Sequence, residues 1–336
     1  MSSTTDYAGE RSYKRARLEL DSRSASHGDA GITPHETFWY EDGNVILVAS
    51  NSTTGCRIHR SVLSSNSEVF KDMFQLADPS GESYSGCPVV RLPDTPAELD
   101  IVVRVMYQPL SIPCLASKET PAHIHEVYAM MRAGKKYQIP PLYEEAQRRI
   151  INTCEFDSRA WERSRSFLAT SSPAIEPLVG ESHYIVIVQL CRAYGLNQCL
   201  PWALYACCSW YVSPETLVYG IELPGGTNVM LSKEDLVNCI RVKEKIHILQ
   251  THTIYTLLDW THACGCHDRL EADILDGDTR SFWFSMTPLG AGAMDVYEAH
   301  LKGLGLCTSG IQSVLDILRQ HLTKVSERLP MLLGLS

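Results

Sequence analysis

Residues 45–74 change from the pattern of a buried β-strand to that of an amphipathic helix, which restricts the chain to folds that mix both elements. Val45–Ala49 is a short, β-branched run between turn-forming residues, as is typical of a buried strand. CRIHR, residues 56–60, predicts a second strand. Ser67 is then in position to cap a helix. One face of that helix is apolar at the i, i+3, i+4 spacing, through Val69, Phe70, Met73 and Phe74.

Further along, the sequence contains helix starts with recognisable caps. PVVRLPD, residues 88–94, predicts a third strand. Thr95–Glu98 then has threonine at the N-cap, proline at the first helical position and glutamate at the third, which forms a capping box. A helix is predicted to begin within Thr120–His123, and another restarts at Pro140-Pro141. We therefore predict an α+β unit of short strands wrapped by helices over residues 35–155.

The C-terminal region, residues 156–336, is predicted to be mostly α-helical. Ser213–Thr216 is predicted to start another turn, Ser232 is positioned as an N-cap, and Ser309 to Gln312 has the spacing of a second capping box. The longest helical pattern follows Ser232. Its inward-facing residues are predicted to be Leu236, Cys239, Ile240, Ile246, Leu249 and Leu257.

Residues 1–33 are polar and have almost no apolar pattern. Such a segment buries too little surface to offset the entropy of ordering, so we predict a disordered tail. Its segment KRAR contains a nuclear-import candidate formed by Lys14, Arg15 and Arg17. The alternative is a solvated run of charge. We expect the protein in the nucleus, the cytoplasm or both.

Charge and cysteine content narrow the classes of function. The net charge of −9 argues against a broad nucleic-acid surface, which needs clustered lysine and arginine, so no direct nucleic-acid binding is expected. No secretory signal is visible, so the 12 cysteines are expected to be reduced. No membrane span is evident. Four cysteines lie among apolar residues and are predicted to be buried: Cys191, Cys199, Cys207 and Cys208.

Three short motifs occur in a recognisable order. They are His-Arg-x-Val-Leu at His59–Leu63, Ser-x-x-Phe-x-x-Met-Phe at Ser67–Phe74, and Lys-Tyr at Lys136-Tyr137 before a final helix. With the strand that precedes them, they make residues 35–155 resemble a BTB/POZ domain. More narrowly, the segment FWxxDGNV after a basic tail resembles the large set of BTB proteins in basidiomycete fungi.

This resemblance implies a non-catalytic protein–protein interaction module that forms homodimers and acts as an adaptor or scaffold for protein partners. It also implies that His59 packs and hydrogen-bonds within the fold. The interaction surface is expected on the aromatic run and the first helices, namely Phe38, Trp39, Tyr40, Arg60, Phe70, Met73 and Phe74. For the aromatic run, packing inside the protomer is the alternative.

Two more specific functions stay open. Many BTB proteins are substrate adaptors of cullin-based ubiquitin ligases, and they bind the cullin through the helix that here holds Phe70–Phe74, the loop after it and the next helix. Others are nuclear transcription or chromatin cofactors, which the basic tail would suit. In either case, the C-terminal helices would hold a second partner or brace the BTB/POZ domain.

The segment THACGCHD has the composition closest to a metal site. His262, Cys264, Cys266 and His267 are zinc-type donors, and Cys307 is a remote donor. The zinc candidate is thus the set Cys264, Cys266, His267 and Cys307. Adjacent ligands such as Cys266 and His267 rarely reach one ion, so reduced cysteines at a corner between helices are favoured over a metal. A redox pair of Cys264 and Cys266 is the third interpretation.

The common catalytic motifs are missing from the sequence. Neither a Gly-x-x-x-x-Gly-Lys-Ser/Thr phosphate loop nor a Gly-x-Ser-x-Gly nucleophile turn occurs. We expect no catalytic residues, no enzymatic activity and no cofactor.

Overall fold

The structure is a computed structural model that describes residues 31–76, 81–117, 120–160, 175, 183–208, 212–261, 264–279, 282–283 and 293–334. The chain divides into two compact units between Met106 and Tyr107, which we call the N-terminal unit and the C-terminal unit. Four of the candidate residues named above lie outside the described residues: Lys14, Arg15, Arg17 and His262. Nearly all of the tail predicted to be disordered lies outside them too.

The N-terminal unit contains a mixed five-stranded sheet. Its strands are β1 Thr33–Trp39, β2 Val45–Val48, β3 Thr54–Ile58, β4 Ser83–Tyr84 and β5 Cys87–Arg91. They lie in the order β1-β3-β2-β5-β4. β1 is parallel to β3 and β2 is parallel to β5, whereas the other two pairs are antiparallel. β2, β3 and β5 confirm the three predicted strands.

β1 is a strand that the local sequence did not predict. It begins at Thr33, and its pairing with β3 is irregular, since Pro34 lies opposite Gly55 but Trp39 lies opposite Arg57. Proline has no N–H to donate to the ladder, and the segment TPHETFW lacks an alternating apolar pattern. The strand therefore depends on a partner that is distant in sequence.

All four residues of β2 are completely buried, which explains why its sequence is continuously apolar. One face of the sheet carries an apolar cluster made of Ile32, Ile46, Val48, Cys87 and Val89. Trp39 and Tyr84 pack against this cluster, with their ring centroids 6.0 Å apart. The prediction of a buried strand at this position is confirmed.

Side-chain caps begin two of the helices in the N-terminal unit. These helices are α1 Arg60–Asn66, α2 Glu68–Leu76 and α3 Pro96–Tyr107. Ser67 Oγ accepts the Phe70 N–H at 3.2 Å and so caps α2, as predicted. Thr95 Oγ1 accepts the Glu98 N–H at 3.2 Å, and Glu98 Oε2 accepts the Thr95 N–H at 2.9 Å, which confirms the first capping box.

α3 lies against β1 and β3. Asp100 Oδ1 is 3.7 Å from His35 Nε2 on β1, and the Arg104 guanidinium lies 5.8 Å from the centre of the Phe38 ring. Burial, with a smaller contribution from the Asp100 charge, raises the pKa of the Cys56 thiol on β3 to about 12. Cys56 is therefore an inert core residue.

The C-terminal unit is mostly helical, as predicted. Its helices are α4 Pro113–Ala116, α5 Ile124–Lys136, α6 Pro140–Ala160, α7 His183–Tyr194, α8 Leu200–Cys207, α9 Pro214–Tyr219, α10 Lys233–Leu258, α11 Cys266–Leu275, α12 Ala293–Gly303 and α13 Thr308–Leu332. A short antiparallel hairpin, β6 Ile221–Leu223 with β7 Thr227–Val229, was not predicted. Among the described helices, none is long and apolar enough to cross a membrane.

α5 begins at Ile124 and not within Thr120–His123 as predicted. His123 is the N-cap: its backbone N–H donates to Glu126 Oε2 at 3.0 Å, and its side chain accepts the Glu126 N–H. His-x-x-Glu therefore replaces the usual Ser/Thr-x-x-Glu sequence of a capping box. α6 restarts at Pro140, as predicted.

Gly134 allows the backbones of α5 and α6 to approach closely. A Cβ at this position would lie 2.6 Å from the Tyr143 backbone nitrogen and 3.0 Å from its Cα, and neither atom can rotate away. Gly134→Ala is expected to destabilise the C-terminal unit by about 1–3 kcal/mol through overpacking. The measurement is the urea midpoint, followed by circular dichroism.

Gly303→Ala is the matched control for Gly134→Ala. Gly303 lies in α12, and a Cβ there would meet no atom within 4 Å. Alanine has the higher helix propensity, so this variant is expected to be neutral or slightly stabilising. Equal midpoints for the two variants would contradict the close contact at Gly134.

The cap at Ser232 and four buried cysteines in the C-terminal unit confirm their predictions, and Ser213 is a further cap. Ser213 Oγ accepts the Thr216 N–H at 3.1 Å, and Ser232 Oγ accepts the Asp235 N–H at 3.0 Å. The cysteines predicted to pack as apolar residues are all buried: Cys191, Cys199, Cys207 and Cys208.

α10 buries a narrower stripe than the sequence predicted. Ile240 is 54% exposed, so its prediction as an inward-facing residue is wrong. The neighbouring buried residues are Cys239, Val242 and Ile246. One residue step turns the helix by about 100°, so Ile240 lies well outside the stripe that starts at Cys239.

The capping box predicted at Ser309 and Gln312 is also wrong. α13 begins at Thr308, so Ser309 lies inside the helix. Cys307 takes the N-cap position instead, and its Sγ accepts the Gly310 N–H at 3.3 Å. A cysteine is not among the favoured N-cap residues, so sequence rules placed the helix start too late.

Candidate functional site

α2 presents an apolar surface at its C-terminal end. Leu76 is 86% exposed, and Met73 and Phe74 on the same helix are half-buried. Arg60, the first residue of α1, lies over Phe74, with its guanidinium carbon 5.4 Å from the ring centroid. We call Arg60, Met73, Phe74 and Leu76 the α2 surface.

Two of the aromatic residues predicted for an interaction surface face inward. Phe38 and Phe70 have no exposed surface, so they stabilise the N-terminal unit and cannot line an interface. That part of the prediction is wrong, because periodicity marks apolar positions without telling which are fully covered. Trp39 and Tyr40 are half-buried. Phe70 stacks on Phe74 at a ring-centroid distance of 6.1 Å and so fixes the position of Phe74.

The His-Arg pair after β3 anchors the α2 surface to the sheet. His59 Nε2 lies 3.2 Å from Asp42 Oδ1, and its ring centroid is 5.4 Å from that of Tyr40. The Arg60 N–H donates to Asn44 Oδ1 at 2.8 Å, which holds the start of α1. His59 thus packs and bonds within the fold, as expected.

The strands β2 to β5, the His-Arg pair and the helices α1 to α3 lie within a segment that a known family covers. Residues 40–153 match the family model of the BTB/POZ domain. The chain contains a BTB/POZ domain. This domain is a non-catalytic protein–protein interaction module. No curated protein matches the chain, so the narrower resemblance to basidiomycete BTB proteins stays a prediction.

The α2 surface belongs to the BTB/POZ domain, as does the loop after α2. Residues 77–80 of that loop lie outside the described ranges. Glu82 beyond them accepts hydrogen bonds from Arg91 Nε and Nη2, both at 2.8 Å, and these bonds lower the pKa of the Glu82 carboxyl. Glu82 is therefore held by Arg91 beside the paired strands β4 and β5.

A second candidate site lies in the C-terminal unit, outside the BTB/POZ match. Three cysteine sulfur atoms converge there, and we call Cys264, Cys266 and Cys307 the thiol cluster. The Sγ–Sγ distances are 2.7 Å from Cys264 to Cys266, 3.1 Å from Cys264 to Cys307 and 3.6 Å from Cys266 to Cys307. Cys266 is completely buried, whereas Cys264 is exposed.

Local backbone features bring these three sulfur atoms together. Gly265 has a φ of 69°, a left-handed conformation that favours glycine, and it turns the chain between the first two cysteines. Cys266 is the first residue of α11, and Cys307 directly precedes α13. Arg269 Nη1 donates to the Gly305 carbonyl at 2.5 Å and ties the loop before Cys307 to α11.

His267, which was part of the zinc candidate set, does not join the thiol cluster. Its Nε2 donates to the Leu258 carbonyl at 2.9 Å, and its Nδ1 lies 3.4 Å from Asp268 Oδ1. The bond to Leu258 is the main cause that raises the pKa of His267, with help from Asp268 and Glu271. The inclusion of His267 was wrong because its ring is held by α10 and by its own helix.

The thiols of Cys264 and Cys307 differ in proton affinity. Hydrogen bonds from Ser309 and Cys264, followed by the Gly310 N–H, lower the pKa of Cys307 to about 6. Hydrogen bonds to Cys266 and Cys307 raise the pKa of Cys264 to about 11. Cys307 therefore loses its proton more readily than Cys264 does.

Proposed function

We propose that this protein is a non-catalytic adaptor or scaffold that forms homodimers through its BTB/POZ domain, with the α2 surface at the contact. The observation that carries the proposal is the 86% exposure of Leu76. Two residues earlier on the same helix, the half-buried Phe74 is held in place by Phe70 and by Arg60. An apolar group held rigidly at a surface loses little entropy when a partner covers it.

The composition of the α2 surface suits a symmetric contact. Complete burial of a leucine side chain contributes about 1.5–3 kcal/mol, and a two-fold axis uses each such residue twice. On the same helix, Glu68 and Lys71 form an exposed ion pair at 2.9 Å. Charged and apolar side chains thus occur on the same helix, and protein interfaces combine an apolar core with a polar rim.

Leu76→Lys is expected to raise the dissociation constant of the full-chain dimer at least about tenfold, the equivalent of 1.4 kcal/mol. The lysine would place a charge in the contact, but a cation suits the C-terminal end of α2, so the fold is kept. The measurement is molar mass by light scattering after size exclusion, over a series of concentrations. Circular dichroism checks that the variant is folded.

Leu110→Lys is the matched control. Leu110 is 77% exposed and lies within the BTB/POZ match, but it does not belong to the α2 surface. Its substitution is expected to leave the dimer unchanged. If Leu76→Lys and Leu110→Lys weaken the dimer equally, the α2 surface is not the contact.

The cullin-adaptor alternative uses the same helix, so the same samples test it by calorimetry with the N-terminal domain of a BTB-binding cullin. The cullin domain could bind with micromolar or tighter affinity, and Leu76→Lys could abolish that binding without changing the mass of the dimer. This result would assign the α2 surface to the cullin and overturn the proposed dimer contact. The nuclear-cofactor alternative rests on Lys14, Arg15 and Arg17, outside the described residues, and nothing in the described structure favours it.

A further inference from the structure

The sulfur atoms of the thiol cluster are close to the arrangement that a metal ion requires. Their separations are 2.7, 3.1 and 3.6 Å. Three sulfurs around a tetrahedral Zn²⁺ would lie about 3.8 Å apart, given a Zn–S bond of about 2.3 Å. Outward movements of about an ångström or less would therefore let the three sulfurs enclose one ion.

The backbone around the thiol cluster is arranged for negatively charged sulfur. The Cys307 N–H donates to Cys266 Sγ at 3.3 Å, and the Gly310 N–H donates to Cys307 Sγ at 3.3 Å. Such outer hydrogen bonds orient metal ligands. In addition, Cys266 and Cys307 lie at the N-terminal ends of α11 and α13, where the helix dipole favours an anion.

Gly310 lies directly beside the thiol cluster. A Cβ at Gly310 would lie 3.3 Å from Cys266 Sγ and 3.4 Å from Cys307 Sγ, so this residue faces the sulfurs. Among the described residues, the cluster has no further cysteine, histidine or carboxylate within ligand distance. The described residues thus supply three of the four ligands that a tetrahedral ion takes.

The geometry points to a zinc site in which Cys264, Cys266 and Cys307 are thiolate ligands. Each thiol that binds the ion releases its proton to solvent, so the step needs no oxidant or reductant. The ion would join the start of α11 to the start of α13. It would thereby stabilise the C-terminal helices independently of the BTB/POZ domain.

Zinc accounts for the arrangement better than a redox pair does. A disulfide would join two sulfurs, transfer two electrons to an external oxidant and leave the third sulfur outside the bond. In this structure, all three sulfurs converge, and backbone N–H groups donate to Cys266 and Cys307. A site that uses three sulfurs together is a metal site of the soft-ligand class.

The first test is the metal content of the full chain, purified with a reductant and without a chelator. We expect one zinc ion per chain by elemental mass spectrometry. After removal of the zinc, Co²⁺ is expected to give the thiolate charge-transfer band and the visible bands of a tetrahedral site. Cys264→Ser should weaken zinc binding by more than the roughly 10–100-fold that loss of an outer-shell partner costs. Cys264 is exposed, so this variant should fold.

Gly310→Cys provides a gain-of-binding test. A fourth thiolate next to Cys266 and Cys307 should tighten zinc binding and shift the Co²⁺ bands to those of four sulfur ligands. Gly310→Ser is the matched control, since serine has a similar size but is a poor zinc ligand. It should bind zinc no more tightly than the parent chain.

Three outcomes would overturn the zinc site. In the first, the reduced full chain takes up neither zinc nor Co²⁺. In the second, metal binding survives Cys264→Ser and is not tightened by Gly310→Cys, which would place the ion elsewhere. In the third, the chain purified without reductant contains a disulfide between two of the three cysteines and binds no metal after reduction, which would identify a redox pair.

Discussion

Arg149→Met is expected to lower the free energy of unfolding of the C-terminal unit by about 3–5 kcal/mol. The substitution leaves the Glu145 carboxylate with only one of its two arginine partners. Arg149 is completely buried. Its Nε donates to Glu145 Oε1 at 2.7 Å, and its Nη1 donates to the Thr120 carbonyl at 2.7 Å. Methionine has a similar length but no hydrogen-bond donor, so both acceptors lose a bond.

Arg148→Met tests whether burial causes this effect. Arg148 also binds Glu145, through Nε at 2.8 Å, but its side chain is 30% exposed. Its loss is expected to cost about 0–1 kcal/mol, as for other partly exposed ion pairs. Urea denaturation followed by circular dichroism measures both variants. Equal losses would show that Arg149 contributes no more than a surface arginine.

The Glu145 carboxylate gives the same interaction a pH dependence. Burial alone would raise the pKa of Glu145, but the hydrogen bonds and charges of Arg148 and Arg149 outweigh it and lower the pKa. A carboxyl with a lowered pKa in the folded state contributes stability above its unfolded pKa, and that contribution disappears as the pH falls through its folded pKa. The difference in stability between the parent chain and Arg149→Met should therefore shrink in acid.

Phe70→Ala is expected to lower the stability of the N-terminal unit by about 3–5 kcal/mol, because it removes a ring from a closely packed core and leaves a cavity. Phe70 has no exposed surface, and its N–H is the group that Ser67 caps. The measurement is thermal and urea denaturation of the full chain.

Phe74→Ala is the matched control on the same helix. Phe74 is half-buried, so its loss is expected to cost about 1 kcal/mol of stability. Because Phe74 belongs to the α2 surface, the same variant should weaken the dimer while the fold persists. A loss of stability as large as that of Phe70→Ala would mean that Phe74 serves the core and not a contact.

The relation between sequence and interaction surface is clearest on α2. The spacing of Val69, Phe70, Met73 and Phe74 predicted the helix and its apolar face, and the cap at Ser67 is confirmed. The same spacing could not tell Phe70 from Phe74, which lie one turn apart. It also missed Leu76, whose exposure follows from its place at the end of the helix beyond the packed face.

For the thiol cluster, the sequence predicted which cysteines come together although they are distant along the chain. Sequence composition singled out Cys264, Cys266 and Cys307, and these three do come together. It also included His267, whose ring nitrogens contact the Leu258 carbonyl and Asp268. The N-cap role of Cys307 had no sequence signal, because thiols are rare caps.

Features that depend on neighbours a few residues away could be predicted before the fold was known: the caps at Ser67, Thr95 and Ser232, the buried strand β2, and the mostly helical C-terminal region. Tertiary structure decided the pairing of β1 with β3, the burial of Phe38 and Phe70, the exposure of Leu76 and the meeting of Cys307 with Cys264 and Cys266. A capping residue indicates a hydrogen bond at the end of one helix, and a periodic apolar pattern indicates the apolar face of one helix or strand. Burial and ligand geometry depend on which distant element packs against that face.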